Sequence, residues 1–305
     1  MDDLERHRAE LTGYCYRMLG SAFEAEDAVQ ETLVRAWRGG YDPARGPARP
    51  WLFQIATNIC LDMLRTPQRR ARAMDLGPAA APGAGLGDPL PEHRWIQPVP
   101  DSRVLPADPA DLAVARESVR LAFVAALQHL PPRQRAVLIL RDVLRWRAAE
   151  VADLLGASVA SVNSALQRAR AALPATPEPR ADVDEELLAR YVDAFERYDV
   201  ERLVALLHED ATMSMPPFTW WLRGRDDIRT VMLAADAPCA GSRLVRTAAN
   251  GSPAFGQYVN GEPFALVVVE PADGRIAATT AYLDPALFPL FGLPMTSGAA
   301  SRTDR

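Results

Sequence analysis

The chain has no lysine: all 34 of its basic residues are arginine. Any contact with an anion is therefore made by a planar guanidinium fork rather than a point-charge ammonium. Cysteine is scarce, with Cys15, Cys60 and Cys239 far apart. That spacing excludes a disulfide framework and any CxxC metal knuckle. Histidine is scarce too, with four in the chain. His7, His93 and His129 are isolated and show no ligand spacing, so neither metal nor cofactor is expected. Apolar runs such as Phe264–Val269 are short, far below the roughly 20 residues of a membrane-spanning helix. The opening MDDLERHRAEL is charged and has no apolar centre, unlike a signal peptide. A cytoplasmic protein without membrane association is expected.

What is present is unevenly distributed. The 305 residues carry a net charge of −5. Residues 1–75 are neutral, 76–108 carry −2, 109–174 carry +4 and 175–305 carry −7. A basic block inside an acidic chain points to an anionic partner for that block alone. The length suits two or three domains, at about 100–200 residues each.

The pattern along the chain divides it further. Residues 1–75 read as helical, with two helices over 4–38 and another over 50–66. Residues 76–110 are rich in Pro, Ala and Gly and have little periodicity, as expected of a linker. Residues 111–174 return to helix, 175–181 form a second linker, and 182–296 open with a helix from Val183 to about Tyr198. Strand-like runs at Phe264–Glu270 and Ile276–Leu283 follow, and 297–305 read as a flexible tail. The expected fold class is multidomain: two all-α domains followed by an α+β domain.

The clearest local signal is AAEVADLLGASVASVNSALQRARAAL. Gly156 is placed to end one helix in the left-handed conformation, and Ser158 to cap the next. On that second helix Val159, Val162, Leu166, Ala169 and Leu173 form a core stripe. Ser161, Asn163, Ser164, Gln167 and Arg168 lie opposite, with Arg170 beside them. Small residues with amide and guanidinium donors suit a helix lying in a DNA major groove.

Two N-terminal helices carry further candidate surfaces. In EAEDAVQETLVRAWRG, Val29, Leu33, Ala36 and Trp37 read as core. Asp27, Gln30 and Glu31 share another face, which is a solvated acidic surface or a docking site for a basic protein. In PWLFQIATNICLDMLRTPQRR, Leu52, Ile55, Ile59 and Met63 form the apolar stripe. Trp51, Gln54, Asn58, Asp62 and Arg65 share the opposite face. Aromatic, amide and arginine groups together suit unstacked bases and a phosphate track, and Asp62 can pair with Arg65 three residues on.

EAEDAVQETLVRAWR, then RPWLFQIATNICLDMLR, then LPPRQRAVLILRDVLRWRAAEVADLLGASVASVNSALQRARAAL resemble regions 2 and 4 of sigma-70 family sigma factors of the extracytoplasmic-function class. The resemblance spans roughly residues 5–173. It implies a subunit that binds core RNA polymerase and directs promoter-specific initiation. Asp27, Gln30 and Glu31 would meet the β′ clamp helices. Trp51, Gln54, Asn58 and Arg65, with the loop Gly39–Arg49, would capture bases of the −10 element. Ser161, Asn163, Ser164, Gln167 and Arg168 would read the −35 element, while region 4 also grips the β flap. The family often has basic residues where Asn163 and Ala165 stand, which leaves Ser164, Gln167 and Arg168 as the main candidates. WIQPVPD, from Trp95 to Asp101, resembles the linker motif of a subgroup with an extra C-terminal domain. The mildly acidic linker either threads a positively charged polymerase channel or is a spacer anchored by Trp95 and Ile96.

Residues from Glu186 onward, ELLARYVDAFERYDVERLVALLHEDATMSMPP, resemble the start of SnoaL-like domains. The implied fold is a curved sheet closed by helices around a conical cavity. Met215, Phe218, Trp220, Trp221, Tyr258 and Tyr282 are the candidate lining, open to a small-molecule ligand. His208, Glu209 and Asp210 read as a solvated turn at a helix end, and no catalysis is expected. The appended domain is expected to modulate the sigma factor. The alternative is a conventional helix-turn-helix regulator with a ligand-sensing domain.

Overall fold

The computed structural model describes residues 2–42, 44, 46–65, 69–106, 109–173, 184–234 and 239–297. Two compact units emerge: one from residues 1–71 and 93–179, the other from 72–92 and 180–305. The tail expected at 297–305 lies outside the described residues except at its first residue.

The first unit is helical. α1 (Asp2–Glu5), α2 (Arg8–Leu19), α3 (Ala22–Gly39) and α4 (Ala48–Met63) form its first part. Gly20, at φ 73°, ends α2 with its N–H on the Tyr16 carbonyl. Ser21 then caps α3 by accepting from the Glu24 amide. This left-handed turn followed by a hydroxyl cap is why two helices meet at a corner there. Tyr14, Tyr16, Leu11, Leu52 and Phe53 are fully buried between them. α5 (Asp101–Val104), α6 (Pro109–Val119) and α7 (Leu121–Gln128) lead into α8 (Pro132–Leu138), α9 (Ala148–Leu155) and α10 (Val159–Ala172). The expected helix-turn-helix corner is present: Gly156 sits at φ 59° and Ser158 accepts from the Ser161 amide.

Two arginines are buried inside this unit without a carboxylate. Arg17 bonds the backbone and hydroxyl of Ser118, at 3.1 and 2.6 Å. Arg135 bonds the Met18 carbonyl, the Gln128 side chain and the Leu130 carbonyl. Burial lowers both pKa values to about 10, so both remain cationic at neutral pH. These bonds tie α2 to α6, α7 and α8 by charge-assisted contacts to backbone oxygens.

The second part of the presumed linker belongs to this unit. Trp95, Ile96 and Val99 are buried. The Ala71 amide donates to Arg94 and the Ile96 amide to Ala71, at 2.9 and 3.2 Å. Tyr16 donates to the Gln97 carbonyl. The anchor reading of Trp95 and Ile96 therefore describes their packing.

The second unit is α+β. α11 (Glu185–Glu196), α12 (Val200–Ala205) and α13 (Arg225–Met232) pack on one face of a six-stranded sheet. Its strands are β1 (Leu207–Ser214), β2 (Trp221–Arg223), β3 (Arg243–Ala249), β4 (Ser252–Val259), β5 (Glu262–Ala272) and β6 (Arg275–Tyr282). The order is β2-β1-β6-β5-β4-β3, with only β1–β6 parallel. α14 (Leu287–Leu290) packs on the other face, where Phe288 meets Tyr258 edge-on at 5.1 Å. Gly256 lies under Leu293 and Phe288, where a Cβ would come within 2.7 and 3.1 Å of their side chains, so close packing of that face requires glycine.

Three expectations fail on local geometry. Trp37 is 69% exposed, because it follows the buried line of Val29, Thr32 and Ala36 by one residue, a rotation of about 100°. Val159 is 44% exposed, since it opens α10 ahead of the buried stripe Val162, Leu166 and Ala169. His208, Glu209 and Asp210 lie within β1 rather than at a helix end. The chain passes from α12 into that strand within two residues.

Candidate nucleic-acid interface

On α4 one face is consumed by the core, through Leu52, Phe53, Ala56, Ile59 and Cys60. The opposite face presents Gln54 and Asn58 to solvent, and Arg65 is exposed in the turn just beyond the helix. Trp51 is half-buried and stacks on Tyr41 at 5.6 Å and 22°. Arg65 pairs with Asp62 at 3.1 Å, as the three-residue spacing suggested. Trp51, Gln54 and Asn58 thus lie on the helix away from its buried face, with a flat aromatic pair at one end and the Arg65 guanidinium just past the other.

On α10, Ser161, Asn163, Ser164, Gln167 and Arg168 are all exposed. Arg170 is committed elsewhere, in a two-bond pair with Asp142 at 2.7 and 2.8 Å. That pair ties the end of the second helix back to the segment before the first. It leaves Arg168 as the guanidinium beside Gln167.

Between these surfaces lies a packed contact that the sequence did not reveal. A π-helical turn at Ile139–Val143 and a left-handed Arg145 (φ 60°) aim Trp146 inward. Its ring meets Phe53 at 5.2 Å, and Arg49 stands 4.8 Å over it. Arg49 is held in turn by Glu10, through bonds of 2.9 and 3.1 Å. The helix with the α4 surface and the segment preceding the helix-turn-helix are therefore in direct contact. The signal for it was a tryptophan just ahead of a helix-turn-helix.

On α3, Asp27 and Gln30 are exposed and Glu31 is paired with Arg35 at 2.6 Å. Beside them Leu4, Gln30, Leu33, Val34 and Trp37 line a shallow groove of about 170 Å3. Glu5 and Arg8, paired at 2.7 Å, complete that lining, and Trp37 is largely exposed beside it.

In the α+β unit, Trp220, Met215 and Phe218 belong to the cluster between sheet and helices. Trp220 is 5% exposed and its indole N–H has no hydrogen-bond partner among the described residues. The register places Gln257 beside Ala265, on the same face as Phe255. Tyr191 is buried against Phe195 and Phe255, and burial pushes its hydroxyl pKa well up. Burial also raises the Cys239 thiol, against a hydrogen bond from Gln257. Tyr258 and Tyr282 do not join this face. Tyr258 packs on Phe288 and donates to the Pro294 carbonyl, and Tyr282 pairs with Leu266 on the opposite alternation. Trp221, next to inward Leu222, donates its N–H to the Gly77 carbonyl. Half of the lining expectation is thus corrected, by the two-residue alternation of strands. His208 stands at the far end of β1 from Ser214, the partner of Trp221, roughly 20 Å along the strand. No group of three metal-ligating side chains occurs among the described residues. No described helix is long and apolar enough to cross a membrane.

Comparison with known proteins matches the same segments. Residues 4–70 match the Sigma-70 region 2 family, 120–173 the Sigma-70 region 4 family, and 188–280 the SnoaL-like domain family. The chain is 47% identical to the ECF RNA polymerase sigma factor SigG of Mycobacterium tuberculosis, over 95% of this chain and 82% of that protein. It is 30% identical to SigJ of the same organism, over 70% of this chain and 64% of that one. The crystal structure of Mycobacterium tuberculosis SigJ matches with a TM-score of 0.64 at 25% identity, covering 96% of this chain and 99% of that structure.

Proposed function

Because the chain belongs to the extracytoplasmic-function sigma factors of the sigma-70 family, we propose that its exposed helix faces divide the work of promoter-specific initiation with core RNA polymerase. Asp27, Gln30 and Glu31 on α3 engage the β′ clamp helices. Trp51, Gln54, Asn58 and Arg65 receive unstacked bases of the −10 element. Ser161, Asn163, Ser164, Gln167 and Arg168 read the −35 element in the major groove. The observation that carries this division is that these residues are almost all exposed, while the alternating residues of the same helices are buried. A sequence with no such task has no reason to gather amides, a stacked aromatic pair and arginines on two separate faces.

The domain boundaries follow as 1–75 for region 2, 111–174 for region 4 and 182–296 for the SnoaL-like domain. That last domain acts as a modulator and not as a catalyst. Its interior carries a few polar groups in an apolar setting, the unpartnered Trp220 N–H among them. This fits an uncharged small molecule with a hydrogen-bond acceptor. A catalytic role would need a base beside that site, and His208 stands at the other end of β1.

The test is transcription in vitro with purified core polymerase and a promoter selected from random sequence. Promoter-specific transcripts are expected from the holoenzyme, with poor binding of duplex DNA by the free chain. Tight operator binding by the free chain, with no effect on core polymerase, would identify a conventional regulator instead.

A further inference from the structure

The Pro-, Ala- and Gly-rich stretch between regions 2 and 4 is not a simple spacer. In the helical unit the chain leaves at Ala71 and returns at Trp95, and these two residues pair as a parallel bridge. The residues in between, 72–92, belong to the SnoaL-like unit. Three hydrogen bonds hold them there. The Gly77 carbonyl accepts from the Trp221 indole N–H at 3.0 Å. The Ala80 amide donates to the Trp221 carbonyl, and the Leu90 amide to the Pro217 carbonyl, both at 2.8 Å. Ala80 also packs against the apolar cluster that contains Trp220 and Leu222.

The chemistry of the segment suits this place. β2 is the outermost strand and only three residues long, so its free edge needs a cover. Pro78, Pro82, Pro89 and Pro91 keep the segment from forming a helix of its own, and it contains a tight turn, in which the Ala84 amide donates to the Ala81 carbonyl at 2.9 Å. Between Leu76 and Pro91 the only charged residue is Asp88, so close approach to apolar surface leaves few ions to desolvate. Ala and Gly side chains allow the backbone to lie near the strand.

We propose that residues 77–90 are a strap by which the SnoaL-like domain sequesters the linker between regions 2 and 4, and that initiation requires its release. One segment cannot lie along β2 and at the same time serve the polymerase. The appended domain is therefore a restraint on this sigma factor, not a brace for its active form. The proposal rests on the reading that the chain initiates transcription with core polymerase.

The experiment uses the full-length chain and two variants that break the same contact from opposite sides. Trp221→Phe removes the indole N–H and keeps a ring. Ala80→Pro removes the amide donor within an already proline-rich segment. Hydrogen exchange of the free proteins is measured by mass spectrometry, and transcription is measured at limiting core polymerase. Exchange over residues 76–91 is expected to quicken about threefold to tenfold, the usual range for one lost hydrogen bond. Exchange of β4 and β5 amides is expected to stay unchanged, which separates strap release from unfolding. Initiation is expected to rise at least about twofold in both variants. Unchanged exchange in residues 76–91 in both variants would overturn the strap. Faster exchange with equal or lower initiation would overturn the restraint. Failure of the wild-type chain to transcribe at all would instead strike the underlying functional reading, while leaving the exchange result to judge the strap.

Discussion

The guanidinium of Arg49 lies 4.8 Å over the ring of Trp146, across a sequence distance that spans the whole linker. Glu10 fixes the guanidinium and Phe53 fixes the ring. Region 2 and region 4 are joined here by an aromatic contact with a cation stacked on it, a pairing favoured by the ring quadrupole. Together with the buried Arg17 and Arg135, it makes the two sigma regions one packed body in this structure.

Trp146→Ala is expected to destabilise the helical unit by about 3–5 kcal/mol, the usual range for deleting a buried tryptophan. Trp146→Phe should cost less, because a ring remains for Phe53 and Arg49. Urea unfolding followed by far-UV circular dichroism checks both. Equal stability of wild type and Trp146→Ala would show that the contact contributes nothing to the fold.

Trp37→Ala tests the groove on α3. The side chain is largely exposed, so stability should change by less than about 0.5 kcal/mol. Affinity for core polymerase should fall by about tenfold to thirtyfold if Trp37 anchors the partner, as exposed tryptophans do in binding hot spots. Competition binding with a labelled wild-type chain measures it. Undiminished affinity would remove Trp37 from the proposed surface.

The two DNA faces predict different defects. Gln167→Ala and Arg168→Ala should each weaken initiation by about 1–3 kcal/mol on promoters that depend on the −35 element. Neither should matter where that element is dispensable. Asn58→Ala should leave core binding intact and slow strand opening, read by permanganate reactivity of unpaired thymines. If both classes of variant open promoters like the wild type, the assignment of faces is wrong.

Much of this molecule was legible in its sequence, and the failures have two causes. Gly156 and Ser158 announced the helix-turn-helix because their conformations are local. The exposed residues of α4 and α10 followed from helical period alone. Trp37 was misjudged because it stands one residue past the buried line of α3, and Val159 because it opens α10, where apolar periodicity no longer implies burial. Tyr258 and Tyr282 were placed inward on residue type, but strand register decides the face and register is a long-range property. The strap was illegible for the same reason. Gly77 meets Trp221 across 144 residues, and nothing in a proline-rich stretch names its partner.

Tyr191 makes a pH prediction with a definite sign. Burial holds its folded-state pKa well above the ordinary value of 10. Below pH 10 the hydroxyl is protonated in both folded and unfolded chains, and it contributes no pH dependence. Above pH 10 the unfolded chain releases this proton while the folded chain retains it. Unfolding then releases a proton, so stability falls as pH rises. One such group adds up to about 1.4 kcal/mol of lost stability per pH unit. The buried arginines act in the opposite sense, because their folded pKa values lie below the ordinary value, but they belong to the helical unit. Tyr191→Phe should therefore leave the SnoaL-like domain about as stable as wild type at pH 8 and make it less sensitive to alkali between pH 10 and 11.5. Urea unfolding followed by near-ultraviolet circular dichroism at each pH measures the difference. Parallel curves for the two proteins over that range would mean that the Tyr191 hydroxyl is open to solvent and not buried among Phe195 and Phe255.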